Sequence, residues 1–241
     1  GLPRSGTTHL LNVMAADSRL RALPLWESYE PIALPGEKPV NGIDPRYQRC
    51  ADQWQMMQAL SPLLAAMHPM YPDHIHEELE LMGPDFASYN YEWLSVSPRW
   101  RDAYYASDQT AHYDYMKTVL KILTWQDGDR TGANTRWVLK CPQHLEQLQV
   151  LRNVFPDATV AITHRDPVSV IQSAITMLAY GQRINRKQVD LEGLATYWTD
   201  RVLHLLQACV NDRTVWPSEQ SIDVLFHEFM ADDLATVEKI Y

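Results

Sequence analysis

The 241-residue sequence contains no uninterrupted apolar run approaching the ~18 residues of a membrane-spanning helix, its most apolar stretches being broken by Gln, His or Asp. A transmembrane helix is excluded. Cysteine is scarce: Cys50, Cys141 and Cys209 are odd in number and widely spaced, which fits neither a disulfide framework nor a CxxC metal site and points to a reducing, cytoplasmic setting. Positive charge is also short. With 21 Lys and Arg against 30 Asp and Glu, the net charge is −9, which argues against a surface that neutralises nucleic-acid phosphates and leaves room for one local anion site. Repeats and low-complexity tracts are absent, and a composition 46% hydrophobic and 21% charged is that of a globular protein able to bury its own core. One large domain carrying an insertion is expected.

What is present begins at the first residue. Gly1-Leu2-Pro3-Arg4-Ser5-Gly6-Thr7-Thr8 has the glycine spacing of a phosphate-binding loop, with Thr7 where a triphosphate-binding loop has Lys. Leu10, Leu11, Val13 and Met14 follow at near-helical spacing, so the loop feeds a helix whose free N–H groups and dipole favour an anion. A turn that only caps the helix has the same pattern. Arg4 and the absence of the Lys favour a ligand with a single phosphate at this point over ATP or GTP.

Farther on, Ala158-Thr159-Val160-Ala161-Ile162-Thr163 reads as a buried parallel strand. His164-Arg165-Asp166-Pro167 ends it, with Asp166 as a cap and Pro167 as the first residue of a helix. Arg165 stands at the strand's carboxyl end, and Ser173 lies eight residues on, about two helical turns. A second unit, Arg136-Trp137-Val138-Leu139-Lys140-Cys141-Pro142-Gln143-His144-Leu145, is a strand, a turn and a helix through about Asn153. Lys140 then lies at the carboxyl edge of the sheet, where open α/β folds bind ligands.

Between these units the pattern is mostly helical. Helices are expected from Cys50 to Met67, from Glu77 to Met82 and around Tyr113, Met116, Val119, Leu120 and Leu123, with an extended loop from Ser28 to Asn41. Residues 42–130 form a helical insertion dense in Met, Trp and Tyr, most of them core and some suited to an apolar acceptor. His68, His74, His76, Glu77 and Glu78 are too irregular for a known metal spacing, and no metal is expected. A structural helix is expected from Leu191 to Val210, then a strand from Ser221 to Phe226 and a closing helix. Alternating strands and helices imply a parallel α/β sheet of the nucleotide-binding type, flanked by helices.

The Pro-Arg-Ser-Gly-Thr-Thr loop resembles that of sulfotransferases that use 3′-phosphoadenosine 5′-phosphosulfate (PAPS). The Arg165/Ser173 spacing and the Lys-x-Pro-x-His-Leu stretch at Lys140 are similar to the same family's, and the likeness extends over nearly the whole chain. It implies sulfuryl transfer from PAPS to a hydroxyl of a small-molecule acceptor without a metal. Ser5, Gly6, Thr7, Thr8 and Arg4 would hold the 5′-phosphosulfate, Arg165 and Ser173 the 3′-phosphate, and Lys140 the departing charge. Glu27 resembles the catalytic Glu of tyrosylprotein sulfotransferases, and Pro24 and Trp26 can desolvate it toward use as a base. His144 is its rival. The resemblance also implies a strand before Gly1 and further sequence after Tyr241, so a fragment is expected. A nucleotide kinase and a non-catalytic nucleotide-binding module are the alternative readings.

Overall fold

The computed structural model describes residues 1–128 and 136–241. The opening loop runs into helix α1 (Thr7–Ala15), the two-residue strand β1 (Leu20–Arg21) and the short helix α2 (Leu25–Tyr29). A run of helices follows: α3 (Pro45–Leu60), α4 (Leu64–Met67), α5 (Leu79–Met82), α6 (Asn90–Leu94), α7 (Pro98–Ala106) and α8 (Thr110–Asp127). The chain returns through β2 (Arg136–Trp137), α9 (Leu148–Val154), β3 (Val160–His164), α10 (Pro167–Gly181) and α11 (Leu191–Asp212). It closes with β4 (Ser221–Leu225), α12 (Phe226–Ala231) and α13 (Asp233–Ile240).

Both strand pairs are parallel. Leu20 lies opposite Arg136 in β1–β2, and β3–β4 runs from Val160 opposite Ser221 to His164 opposite Leu225. Parallel neighbours need a crossover between them, and α10 and α11 supply it for β3 and β4. This is the expected α/β class with parallel strands and flanking helices. Val170, Ala174 and Leu178 of α10 pack against Leu194, Trp198, Val202 and Leu205 of α11 in the largest core. A second core joins Tyr113, Met116, Leu120 and Leu123 of α8 to Leu23, Leu81 and Met82. The third is small and functional in its consequence, since Leu10 of α1 meets Val224 and Phe229 and so fixes the helix that follows the glycine loop.

Local chemistry explains where the elements depart from expectation. The helix expected over Cys50 to Met67 is broken into α3 and α4 at Ser61-Pro62. Proline disfavours a helical residue before it and offers no N–H of its own. α3 also starts earlier, because Asp44 accepts from the Arg46 N–H and Pro45 occupies the first turn. The helix expected from Glu77 begins at Leu79, leaving Glu77 on an extended segment that Ile75 ties to Pro24 by a bridge. Glu27 lies on α2, ahead of the loop. Asp166 caps α10 as expected, accepting from the Val168 and Ser169 N–H groups. Among the Met, Trp and Tyr residues between α3 and α8, Met82, Tyr89 and Tyr104 are buried while Tyr71 is exposed. The expected end of the insertion at residue 130 lies outside the described residues.

Candidate functional site

The glycine loop owes its course to two close approaches. A Cβ on Gly1 would run into Thr163 at the end of β3, and Gly6, at φ +79°, lies where a Cβ would meet the Phe226 ring at 3.0 Å. Only glycine takes either place without displacement. Arg4 also has positive φ, 61°, an uncommon conformation for a residue with a Cβ, held here by the contacts of its own side chain and carbonyl. The Ser5 hydroxyl donates to the Leu2 carbonyl at 2.5 Å and meets Thr163 Oγ1 at 2.7 Å. It staples the loop to β3, so Ser5 has only its backbone N–H left for a ligand. Among the described residues no side chain caps α1, whose N-cap is Gly6; its first N–H groups face the loop.

Arg165 and Ser173, far from this loop in sequence, converge on it. Arg4 Nε donates to Ser173 Oγ at 3.0 Å and Nη1 to the Met67 carbonyl at 3.1 Å. Arg165 Nη1 donates to the Arg4 carbonyl at 2.6 Å, and its guanidinium stacks on Phe226, 4.4 Å from the ring centroid. Two guanidinium groups thus share one neighbourhood. Burial, and then the charge of Arg165, draw the Arg4 guanidinium below its ordinary value. Asp166 is spent on capping α10.

Lys140 reaches the same loop from the other side. Its Nζ donates to Thr8 Oγ1 at 3.2 Å and pairs with the Glu77 carboxylate, while its backbone N–H donates to Glu78 Oε1 at 2.8 Å. Burial works to raise the Glu77 carboxyl, but Lys140 foremost, with His76 and His68, holds it below its ordinary value. Sequence reasoning had Glu77 and Glu78 only as weak metal candidates. Their run of ionisable residues is visible in the sequence; their pairing with a lysine 63 positions away is not.

The two candidate bases both have partners within the protein. Glu27 is buried, yet its carboxylate is held by Arg21 at 2.6 Å, and Arg21 Nε also reaches Asp127 at 3.0 Å. Burial pushes the Glu27 carboxyl up, and Arg21 only partly reverses that. The Trp26 ring packs on Arg46 instead. His144 Nδ1 meets the Tyr113 hydroxyl at 2.8 Å, and Nε2 lies 3.5 Å from Glu78 Oε2 without a hydrogen bond to it. Among the described residues, Glu78, Cys141 and His144 bring metal-type donor atoms within 4.8 Å of one another. Burial drives the Cys141 thiol well up and keeps it protonated, which makes it a poor ligand.

A family model described as "Sulfotransferase family" matches residues 1–241. The fold is similar to that of sulfotransferase STF1 from Mycobacterium tuberculosis H37Rv, at 27% identity and a TM-score of 0.80, covering 100% of this chain and 64% of that one. It is also similar to sulfotransferase STF9 from Mycobacterium avium, at 22% identity and a TM-score of 0.82, covering 100% of this chain and 61% of that one; at that identity the likeness speaks to the fold alone. The chain therefore spans a little over three fifths of the length of these structures. No curated protein matches it.

Proposed function

Since the chain belongs to the sulfotransferase family, we propose that it transfers a sulfuryl group from PAPS to a hydroxyl of a small-molecule acceptor. The observation that carries this reading is the convergence of Arg4, Arg165, Ser173 and Lys140 on one uncapped helix N-terminus. Two neighbouring guanidinium groups and a ring of unscreened N–H groups are stabilised by an anion with more than one phosphate, and PAPS has phosphate at both ends of its ribose. The residues fit the group. When bound, it supplies an activated sulfuryl group and a stable bisphosphate leaving group.

The backbone N–H groups of Ser5, Gly6, Thr7 and Thr8, with the Thr hydroxyls, hold the 5′ end. Arg165 and Ser173 hold the 3′-phosphate, and Arg4, already bonded to Ser173, spans the two ends. Lys140, at the loop through Thr8, stabilises the charge that builds on the oxygen bridging sulfur and phosphorus. Glu27 and His144 are the groups that the resemblance and the sequence offer for the acceptor's proton; both are engaged within the protein. The helices α3 to α8 are the part of the chain assigned to the acceptor in this reading. A net charge of −9 speaks against nucleic acid as acceptor. Among the described residues no helix is long and apolar enough to cross a membrane, and the unpaired Cys50, Cys141 and Cys209 suit a reducing cytoplasm.

Calorimetric titration with adenosine 3′,5′-bisphosphate and with ATP tests the reading. The bisphosphate should bind at least tenfold more tightly, about the discrimination that one charge-assisted contact provides. Equal binding, or a preference for ATP, would overturn it in favour of a kinase-like site. Bisphosphate preference without PAPS cleavage would make it a binding module.

A further inference from the structure

Three imidazoles stand where all the segments bearing the proposed machinery meet. The ring centroids of His68, His74 and His76 lie 5.7 to 6.1 Å apart. Arg4 is bonded to the Met67 carbonyl, one residue before His68, at 3.1 Å. Glu77, one residue after His76, is paired with Lys140. The main chain of the same segment pairs with the one that leads to Glu27, His76 N–H donating to the Leu23 carbonyl at 2.7 Å and the His74 carbonyl accepting from Leu25 N–H at 2.9 Å. The cluster is thus tied to the phosphate loop, to Lys140 and to the approach to α2.

His76 differs from its neighbours in how its two nitrogens are used. The residue is 6% exposed. Its Nε2 lies 3.6 Å from Glu80 Oε1, one helical turn on, and Asn90 Nδ2 fixes that carboxylate at 2.8 Å. Its Nδ1 is buried and has no partner among the described residues, as is true of His68 Nδ1. A buried polar atom left unpaired is destabilising, and a ligand that pairs it recovers the loss. A ring with one nitrogen toward a held carboxylate and the other free is arranged as a general base: the carboxylate orients the imidazole and stabilises it once protonated, and the free lone pair takes the proton. Glu27, by contrast, has an oxygen held by Arg21, and His144 has Nδ1 at the Tyr113 hydroxyl, with Nε2 3.5 Å from Glu78 Oε2.

We propose that His76, backed by Glu80, is the catalytic base that takes the proton of the acceptor hydroxyl, an assignment that rests on the sulfotransferase reading above. As the acceptor oxygen forms its bond to sulfur, the bond from sulfur to the bridging oxygen of the 5′-phosphate breaks and its electron pair leaves with adenosine 3′,5′-bisphosphate. The hydroxyl proton passes to His76 Nδ1. The charged groups facing this ring are Glu80 behind it and the Glu77–Lys140 pair beside it. His68 and His74, each lowered to about 4 chiefly by burial, stay neutral near pH 7 and add no competing charge. The acceptor is accordingly one whose reactive hydroxyl can sit among imidazoles, whatever the polarity of the rest of the molecule.

The test measures PAPS cleavage by the purified chain, with 2-naphthol as acceptor and with water alone, for His76→Ala, His76→Gln, Glu80→Gln, Glu27→Gln and His144→Ala. Melting curves and calorimetry with adenosine 3′,5′-bisphosphate accompany each. Loss of kcat by about 10² to 10⁴ in both His76 variants is expected, with nucleotide affinity within about twofold of the parent. Added imidazole should restore part of the turnover of His76→Ala, and Glu80→Gln should lose about tenfold. Near-parental kcat in His76→Gln overturns the assignment, as does a His76→Ala variant that imidazole fails to rescue while still folded and nucleotide-bound. Abolition of turnover by Glu27→Gln or His144→Ala alone, with the His76 variants active, moves the base to that residue. A parent chain that binds ATP as well as the bisphosphate, and cleaves no PAPS, overturns the sulfotransferase reading itself.

Discussion

Arg201 and Arg4 are both drawn away from water, and they keep different company. Arg201, on the inner face of α11, is 1% exposed and closed on every side. Glu92 accepts from Nε at 2.7 Å, Glu146 accepts from both terminal nitrogens at 2.7 and 2.6 Å, and the rings of Tyr89 and Tyr105 lie 4.8 and 5.2 Å from the guanidinium carbon. Arg4 has a hydroxyl, a carbonyl and the Met177 sulfur as partners, no carboxylate among the described residues, and Arg165 beside it. A cation whose charge is fully answered holds α11 to α6 and to the turn after Lys140. One that is left partly unanswered next to a like charge suits a site awaiting an anion.

The contrast is broken most sharply by removing the closed cation. Arg201→Met removes the cation shared by the buried Glu92 and Glu146 carboxylates, leaving them only Tyr197 and His204, and should cost about 3 to 5 kcal/mol, read as a lower urea midpoint, with bisphosphate affinity in the surviving folded fraction unchanged. A loss under about 1 kcal/mol would mean that the network is not structural. Lys140 stands between the two cases, because Glu77 answers its charge while Thr8 links it to the loop. Lys140→Met should lower kcat by about 10² to 10³ and also destabilise the fold. Adding Glu77→Gln should return most of the stability and none of the turnover; recovery of both would reduce Lys140 to a packing residue.

A pH effect of similar size follows from His68. Burial lowers it from 6.5 to about 4 in the folded chain. Below pH 6.5 the unfolded chain takes up a proton that the folded chain refuses until about pH 4, so stability is full above pH 6.5 and falls across that window. The change is on the order of 3 kcal/mol, and His68→Gln should flatten the slope of the melting temperature between pH 6.5 and 4. An unchanged slope would place the titration elsewhere. The smallest effect sharpens the comparison from the other side. Arg165→Ala removes a like charge from Arg4, so its melting temperature should hardly move, while adenosine 3′,5′-bisphosphate binding weakens about ten- to hundredfold. Adenosine 5′-phosphosulfate, which lacks the 3′-phosphate, should bind almost as before; an equal loss for both ligands would detach Arg165 from that phosphate.

Much of the phosphate side was legible, because its chemistry is local. Glycine spacing sets the turn, Asp166-Pro167 sets the start of α10, and apolar spacing sets α1 and α11. Where two residues of one unit are proposed to act together, as Arg165 and Ser173 are, their separation along the chain is itself a signal. The acceptor side gave no such signal. β1 is two residues long and exists only because Arg136 and Trp137 lie beside it, and no periodicity marks so short a strand. Glu77 looked like one more member of a charged helix, and Glu27 like a carboxylate free to act, until the fold set Lys140 against the first and Arg21 against the second.

By itself the sequence determined the α/β class with parallel strands, the glycine loop and its helix, and the family, since each rests on contacts between near neighbours or on motifs that one short segment holds. Only the tertiary structure decided which ionisable groups are answered and which are left free. That outcome depends on partners brought together across long separations: Arg4 with Ser173, 169 positions away, Glu92 with Arg201, 109 positions away, and a His76 nitrogen with no partner among the described residues. Burial and pairing set the charge state of a side chain, and neither is a property of the segment that carries it.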